Sequence, residues 1–389
     1  MTPETSASPA MLHSAAAVPN SRFRHVPQLD GFRGLAIVLV LAGHTLQFSS
    51  LSVFWTGFGE QLSALGVFLF FVLSGYLITG LLVSEKVRTR AVSLKMFYAR
   101  RVLRLLPALF LFLAVVCVLM KIRLITDVPR YEVLASIFYA RNFFGHSYSL
   151  AHLWSLSLEE QFYLCWPVAF ALLSFKRSHF LAAAGTIAVA VWRGLAMHFH
   201  LVTGNEGIYY MRPYFRFDSI LIGAWLAMEL ASNPALISQA RSLGQPLISG
   251  ALWLLLLAWT TFGQQISNPL YLTGQMIVIT LLLAQIAVRE TGWSARVFRS
   301  WPLVYLGKIS YSLYLWHALF ILTREPSWGF LRAFPINLGV PLLLAITSYH
   351  FVERPILRLK DRLSSGTIRL GLANASAPHP LPYDPPAAT

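Results

Sequence analysis

Ten apolar stretches, each long enough to cross a bilayer, alternate with polar connections along this chain: about 31–50, 62–84, 102–121, 156–175, 180–198, 214–231, 246–262, 270–288, 303–323 and 333–352. A hydrocarbon core about 30 Å thick needs about 20 apolar residues at about 1.5 Å of helical rise each. The pattern therefore predicts an all-α polytopic membrane bundle of about ten transmembrane helices. An even count puts both termini on one side. Most of the 31 Lys and Arg fall in the termini and the connections on that side, among them Arg88, Arg90, Lys95, Arg100 and Arg101. Excess positive charge marks the cytoplasmic side, so both termini are expected there. The outward connections are then 51–61, 122–155, 199–213, 263–269 and 324–332. The longest carries a semi-apolar piece, 133–144, which reads as an interfacial or re-entrant helix. Residues 1–28 and 361–389 are polar or Pro-rich and read as disordered cytoplasmic tails around one membrane domain, 29–360.

Composition narrows the class. The chain is 56% hydrophobic and only 12% charged, well below the share usual for soluble domains. The net charge of +15 raises nucleic acid as a partner, but the basic residues alternate with apolar spans instead of forming one stripe, so no nucleic acid is expected. The lipid bilayer is the expected surroundings, a cell inner membrane crossed many times. Cys117 and Cys165 fall in apolar runs, form no metal-ligand spacing and read as packing residues; no metal is expected.

Candidate chemistry begins in the first span. Arg33 and His44 are eleven residues apart, so they share one helix face about 16 Å apart in height. Ionisable side chains at membrane depth are costly and mark function by default. With the span at 31–50, Arg33 lies near the cytoplasmic surface and His44 near mid-bilayer, which suits an anion held at one end and a proton moved at the other. Arg100, Arg101 and Arg104 open the third span on the cytoplasmic side, spaced to share a face and to clamp phosphates. Glu159 and Glu160 enter the fourth span from the outer side, placed either to orient a catalytic histidine or to neutralise an arginine. His152 and Ser155 precede them and are candidates to bind the substrate. Ser310, Tyr314 and His317 fall on one face of the ninth span, and Tyr314 and His317 join the substrate-binding candidates. Asp218, Glu353 and Arg354 read as polar ties between helices, and Gly66, Ser74 and Gly75 as small residues permitting close helix approach.

The segments LDGFRGLAIVLVLAGH, GVFLFFVLSGYLI, FYARRVLRLLP, HLWSLSLEEQFYLCWP, YSLYLWH and FVERP, in that order, resemble acyltransferase family 3, integral-membrane proteins that include bacterial glycan and lipopolysaccharide O-acetylases. The resemblance covers about residues 28–360. It implies a ten-helix inner-membrane acyltransferase with no bound cofactor, acyl-CoA as co-substrate, and a hydroxyl of a carbohydrate or glycolipid as acceptor. It also implies that Arg33 and His44 are the signature catalytic pair and that Arg101 and Arg104 belong to the site. One departure is Phe68-Leu69, where many members carry a polar or acidic residue. No further esterase-like domain is expected, so a stand-alone transferase is the expectation. Two roles for His44 stay open: general base toward the acceptor hydroxyl, or carrier of the acyl group. A carboxylate such as Glu159 or Glu160 would fix its tautomer. The competing class is a transporter or flippase of an anionic lipid or glycan, which intramembrane Arg and His also suit. The absence of paired half-sequences argues against it.

Overall fold

A computed structural model describes residues 26–48, 52–201, 211–262 and 268–358. The expected tails lie outside them except at 26–28, where the first helix already begins. All regular structure among the described residues is helical: α1 (Pro27–Gln47), α2 (Val53–Thr89), α3 (Leu94–Lys121), α4 (Arg130–Ile137), α5 (Leu153–Leu172), α6 (Phe175–His198), α7 (Pro213–Ser232), α8 (Pro234–Leu243), α9 (Pro246–Phe262), α10 (Asn268–Val288), α11 (Trp293–Phe298), α12 (Trp301–Ile321) and α13 (Ile336–Ser348). A π turn at Tyr349–Glu353 follows α13.

Each of the ten expected segments overlaps a helix among the described residues. Six helices among the described residues are long and apolar enough to span a membrane, and a seventh is added if α7 and α8, bent by 114° against each other, count as one. The count falls short of ten. One cause is visible in α5, whose N-terminal half carries Glu159, Glu160 and Gln161. A helix surrounded by other helices can carry polar side chains that a lipid-facing helix cannot.

The site rests on α1, which is wedged between α2 and α12 by glycines. A Cβ at Gly34 would lie 2.0 Å from the Leu303 carbonyl oxygen of α12, and one at Gly43 would lie 2.2 Å from the Ser63 nitrogen of α2. Backbones this close leave no room for any side chain, and they hold α1 as a rigid rod. The small residues of α2 act the same way, with Gly66 against Ala36 of α1 and Gly75 against Ile220 of α7. Ser74 does something else, described below. Cys117 and Cys165, read as packing residues, are exposed, on helix faces left open to lipid.

The long connection after α3 folds as a compact cap. The helix within its semi-apolar piece covers only 130–137, because Tyr139 adopts a left-handed backbone, φ 51°. The chain then turns onto α5, where Gln161 donates to the Tyr139 carbonyl at 2.7 Å and Ser157 accepts from the Arg141 nitrogen at 3.1 Å. Buried carboxylates staple the cap. Glu132 pairs with Arg141 at 2.9 Å and accepts the His146 N–H at 2.6 Å. Asp127 accepts from Tyr148 at 2.8 Å, and Glu325 accepts from the Asp127 nitrogen at 3.1 Å.

Candidate active site

His44 sits in the last turn of α1, because the helix starts at Pro27 and stops at Gln47, earlier than the apolar run suggested. It lies nearer the end of its helix than the mid-depth position expected. Its ring meets His317 of α12: His44 Nδ1 and His317 Nε2 are 3.1 Å apart, with ring planes within 5° of parallel and centroids 5.2 Å apart. His317 Nδ1 in turn lies 2.6 Å from the Tyr314 carbonyl oxygen.

That geometry fixes the tautomers of the two neutral rings. A carbonyl only accepts, so His317 Nδ1 carries the hydrogen and its Nε2 holds a lone pair. His44 Nδ1 must then be the donor to His317, which leaves the lone pair of His44 on Nε2. One ring thus orients the other and leaves a nucleophilic or basic nitrogen, the arrangement by which an oriented histidine serves acyl transfer. The tautomer is set by another histidine and by a main-chain carbonyl, where a carboxylate was expected. His152 completes a cluster of three imidazoles, its centroid 5.3 Å from that of His317. Both of its ring nitrogens are buried without a hydrogen-bond partner.

Toward the N-terminal end of α1, a narrow cavity of about 40 Å³ is lined by Arg33, Ser155, Glu159, Ser310, Tyr311 and Tyr314 with apolar neighbours. The expected face of α12 is real: Ser310 and Tyr314 line this cavity, and His317 continues the same face to His44. Tyr314 Oη lies 2.6 Å from Ser155 Oγ and donates to the His152 carbonyl at 3.0 Å. His152 and His317 lie outside the lining of this cavity, unlike Ser155 and Tyr314.

The two acids separate in role. Glu159 accepts from Ser74 of α2 at 2.8 Å. Glu160 pairs with Arg101 of α3 at 3.3 Å, with both side chains largely buried. Of the alternatives open from sequence, neutralising an arginine is what Glu160 does. Neither acid hydrogen-bonds His44. Arg101 is also stacked on Tyr163, 3.5 Å from the ring centroid. Tyr163 is one helical turn from Glu160, a spacing that could have identified it.

A larger cavity, about 410 Å³, opens beyond Arg101. It is lined by Ser84, Glu85 and Arg88 of α2 and by Phe97, Arg100, Arg101 and Arg104 of α3. The three arginines expected to share a face do share this cavity. Arg104 lines the large cavity and Arg33 the small one, so each carries at least one arginine. Arg33 itself has a buried Nε without a hydrogen-bond partner.

Away from the site, Asp218 of α7 pairs with Arg193 of α6 at 2.6 Å, and both side chains are fully buried. Arg193 also donates to the Phe215 carbonyl at 2.9 Å and to Thr273 at 3.1 Å. Glu353 accepts from Ser312 of α12, so it is a tie between helices, as its motif suggested. Phe68 lies 4.9 Å from the Arg216 guanidinium, an aromatic platform where a polar residue was expected.

Comparison with known proteins places this geometry. The model of a family described as an acyltransferase domain matches residues 26–349. O-acetyltransferase OatA of Staphylococcus aureus strain NCTC 8325 / PS 47 is 31% identical over 366 residues, 86% of this chain and 57% of the relative. OatA of strain COL matches to the same extent, 31% over 366 residues. The chain thus spans little more than half the length of these relatives. No solved structure matches it.

Proposed function

The chain belongs to the acyltransferase family whose domain model it matches across most of its length, and on that premise we propose that it is a membrane-bound O-acyltransferase. It takes an acyl group, acetyl in the simplest case, from acyl-CoA on the cytoplasmic side and passes it to a hydroxyl of a carbohydrate or glycolipid on the outer side of the cell inner membrane. The observation that carries this reading is the His44–His317 hydrogen bond of 3.1 Å, made on the same helix that places Arg33 in the small cavity.

The residues divide the work. The arginine-lined cavity receives the phosphates of the donor, which enter as anions from the side richer in Lys and Arg. The pantetheine arm runs along α1 past Arg33 and widens the narrow cavity lined by Ser155, Glu159 and Tyr314. The helical rise from Arg33 to His44 is about 16 Å, a length that brings the thioester toward the imidazoles. His44 Nε2 removes the proton of the acceptor hydroxyl as its oxygen attacks the thioester carbonyl; the C–S bond breaks and CoA leaves as the thiol after taking up a proton. An acyl-histidine route would use the same nitrogen. His317 holds His44 in the required tautomer and orientation, as the third member of a hydrolase triad does.

Purified protein in lipid nanodiscs, supplied with acetyl-CoA and a panel of oligosaccharides, tests the proposal through release of the CoA thiol and gain of acetyl mass on the sugar. Thiol release with no dependence on His44, or none at all, contradicts it. His317→Phe keeps the ring volume and removes the acceptor nitrogen. It is expected to lower kcat about a hundredfold while leaving the donor KM within about twofold, because it disturbs only the orientation of the base. Equal changes in kcat and donor KM would remove His317 from the orienting role.

A further inference from the structure

The arginines of the large cavity are not equally occupied. Arg101 is committed to Glu160 at 3.3 Å and to the face of Tyr163. Arg100 lies 3.5 Å from Glu85 Oε2, and the other oxygen of Glu85 accepts the Ser93 N–H at 3.0 Å. Arg88 and Arg104 line the same cavity and make no ion pair or hydrogen bond among the described residues. Arg88 and Lys86 look equivalent in the sequence. Two residues apart on a helix, they point about 200° from each other. Lys86 turns away and donates to the Phe170 and Leu173 carbonyls at 3.1 and 3.0 Å, capping the end of α5. Only Arg88 faces the cavity.

Four guanidiniums against two carboxylates, Glu85 and Glu160, leave an excess of positive charge that suits a multiply charged anion. Planar guanidiniums suit phosphate oxygens, each able to make paired, charge-assisted hydrogen bonds. The enclosed volume, about 410 Å³, lies within the range of small-molecule and cofactor sites. An anion in this cavity finds two arginines, Arg88 and Arg104, without an ion pair among the described residues. It can then take Arg100 from Glu85, because Glu85 retains the Ser93 N–H when the ion pair opens.

We propose that Arg88 is a further phosphate-binding residue of the donor site, acting with Arg104, and that Glu85 is the anion which the donor's phosphate displaces from Arg100. This rests on the acyl-CoA reading above and adds to it a recognition element on α2. The phosphate could instead belong to an anionic lipid headgroup at the membrane surface, and the test separates the two.

The measurement is the ratio of kcat/KM for acetyl-CoA to that for acetyl-pantetheine, which carries the same thioester without the nucleotide. It is made in phosphatidylcholine nanodiscs and repeated with phosphatidylglycerol. Arg88→Ala is expected to lower the ratio about tenfold, as loss of a charge-assisted phosphate contact does. Arg88→Lys recovers part of it, since charge remains and the fork is lost. Glu85→Gln raises the ratio by weakening the competitor for Arg100. A structural defect moves both donors together and leaves the ratio alone, so an unchanged ratio in Arg88→Ala overturns the proposal. So does a wild-type ratio near one, which means the nucleotide is not recognised. If the Arg88→Ala ratio matches wild type and only phosphatidylglycerol alters the wild-type rate, the cavity serves lipid headgroups and the proposal is again overturned. A wild-type protein that consumes neither thioester brings down the acyl-CoA reading itself, and the role of Arg88 with it.

Discussion

Replacing His44 with alanine is expected to abolish acyl transfer, with a loss of at least about a hundredfold in kcat, the least a positioned general base contributes. The expectation follows from the tautomer chain. The Tyr314 carbonyl fixes His317 and His317 fixes His44, so one lone pair, on His44 Nε2, is left to act. Removing the His44 ring frees the lone pair on His317 Nε2, but that nitrogen is set back from the position of His44 Nε2 by the width of the lost imidazole, too far to act in its place. His44 lies in the last turn of α1, and the packing of that helix is carried by glycines below it, so truncation leaves the fold in place. Size-exclusion behaviour and thermal unfolding should match wild type while turnover disappears. A folded His44→Ala protein keeping more than about a tenth of its activity cannot be reconciled with this role.

The largest effect on stability is expected at Arg193. Arg193→Met removes one member of a fully buried ion pair and leaves the Asp218 carboxylate without its 2.6 Å partner. Breaking such a pair from one side costs about 3–5 kcal/mol, because an uncompensated charge stays buried. The Phe215 carbonyl and Thr273 lose their donor as well. The double variant Arg193→Met with Asp218→Asn removes the charge on both sides and should regain most of the loss. Unfolding followed by tryptophan fluorescence in detergent reads both. A single variant as stable as wild type, or a double variant no better than the single, would show that this pair does not hold α6 to α7.

The sequence carried local geometry well and long-range pairing poorly. Arg33 and His44 were legible together because eleven residues of helix fix their relative direction without any tertiary information. The face of α12 was legible for the same reason, and Tyr314 and His317 were singled out on it. What His317 does was not legible. Its partner His44 is 273 residues away, and nothing in either span announces the other. The acid pair shows the limit differently. Glu160 had two possible jobs, and the choice was made by Arg101 on another helix. Arg193 was passed over although an arginine inside a span needs a partner, and Asp218 in the next span was already marked. Ser74 read as a packing residue, and only the approach of α5 turns its hydroxyl toward Glu159. Each expected span overlaps a helix, while the short α8 and α11 were not foreseen; how many helices cross the bilayer depends on which faces meet lipid, a property of packing that apolar length approximates only for the outermost helices.

The most direct test is the structure of His44→Ala with acetyl-CoA bound, a variant chosen because it holds the donor without turning it over. The account predicts the nucleotide phosphates against Arg88, Arg100 and Arg104, the pantetheine arm passing Arg33, and the thioester carbonyl beside the space left by the His44 ring. A nucleotide seated at the opposite end, against the cap built on Asp127, Glu132 and Glu325, or a thioester that stops short of residue 44, would contradict it.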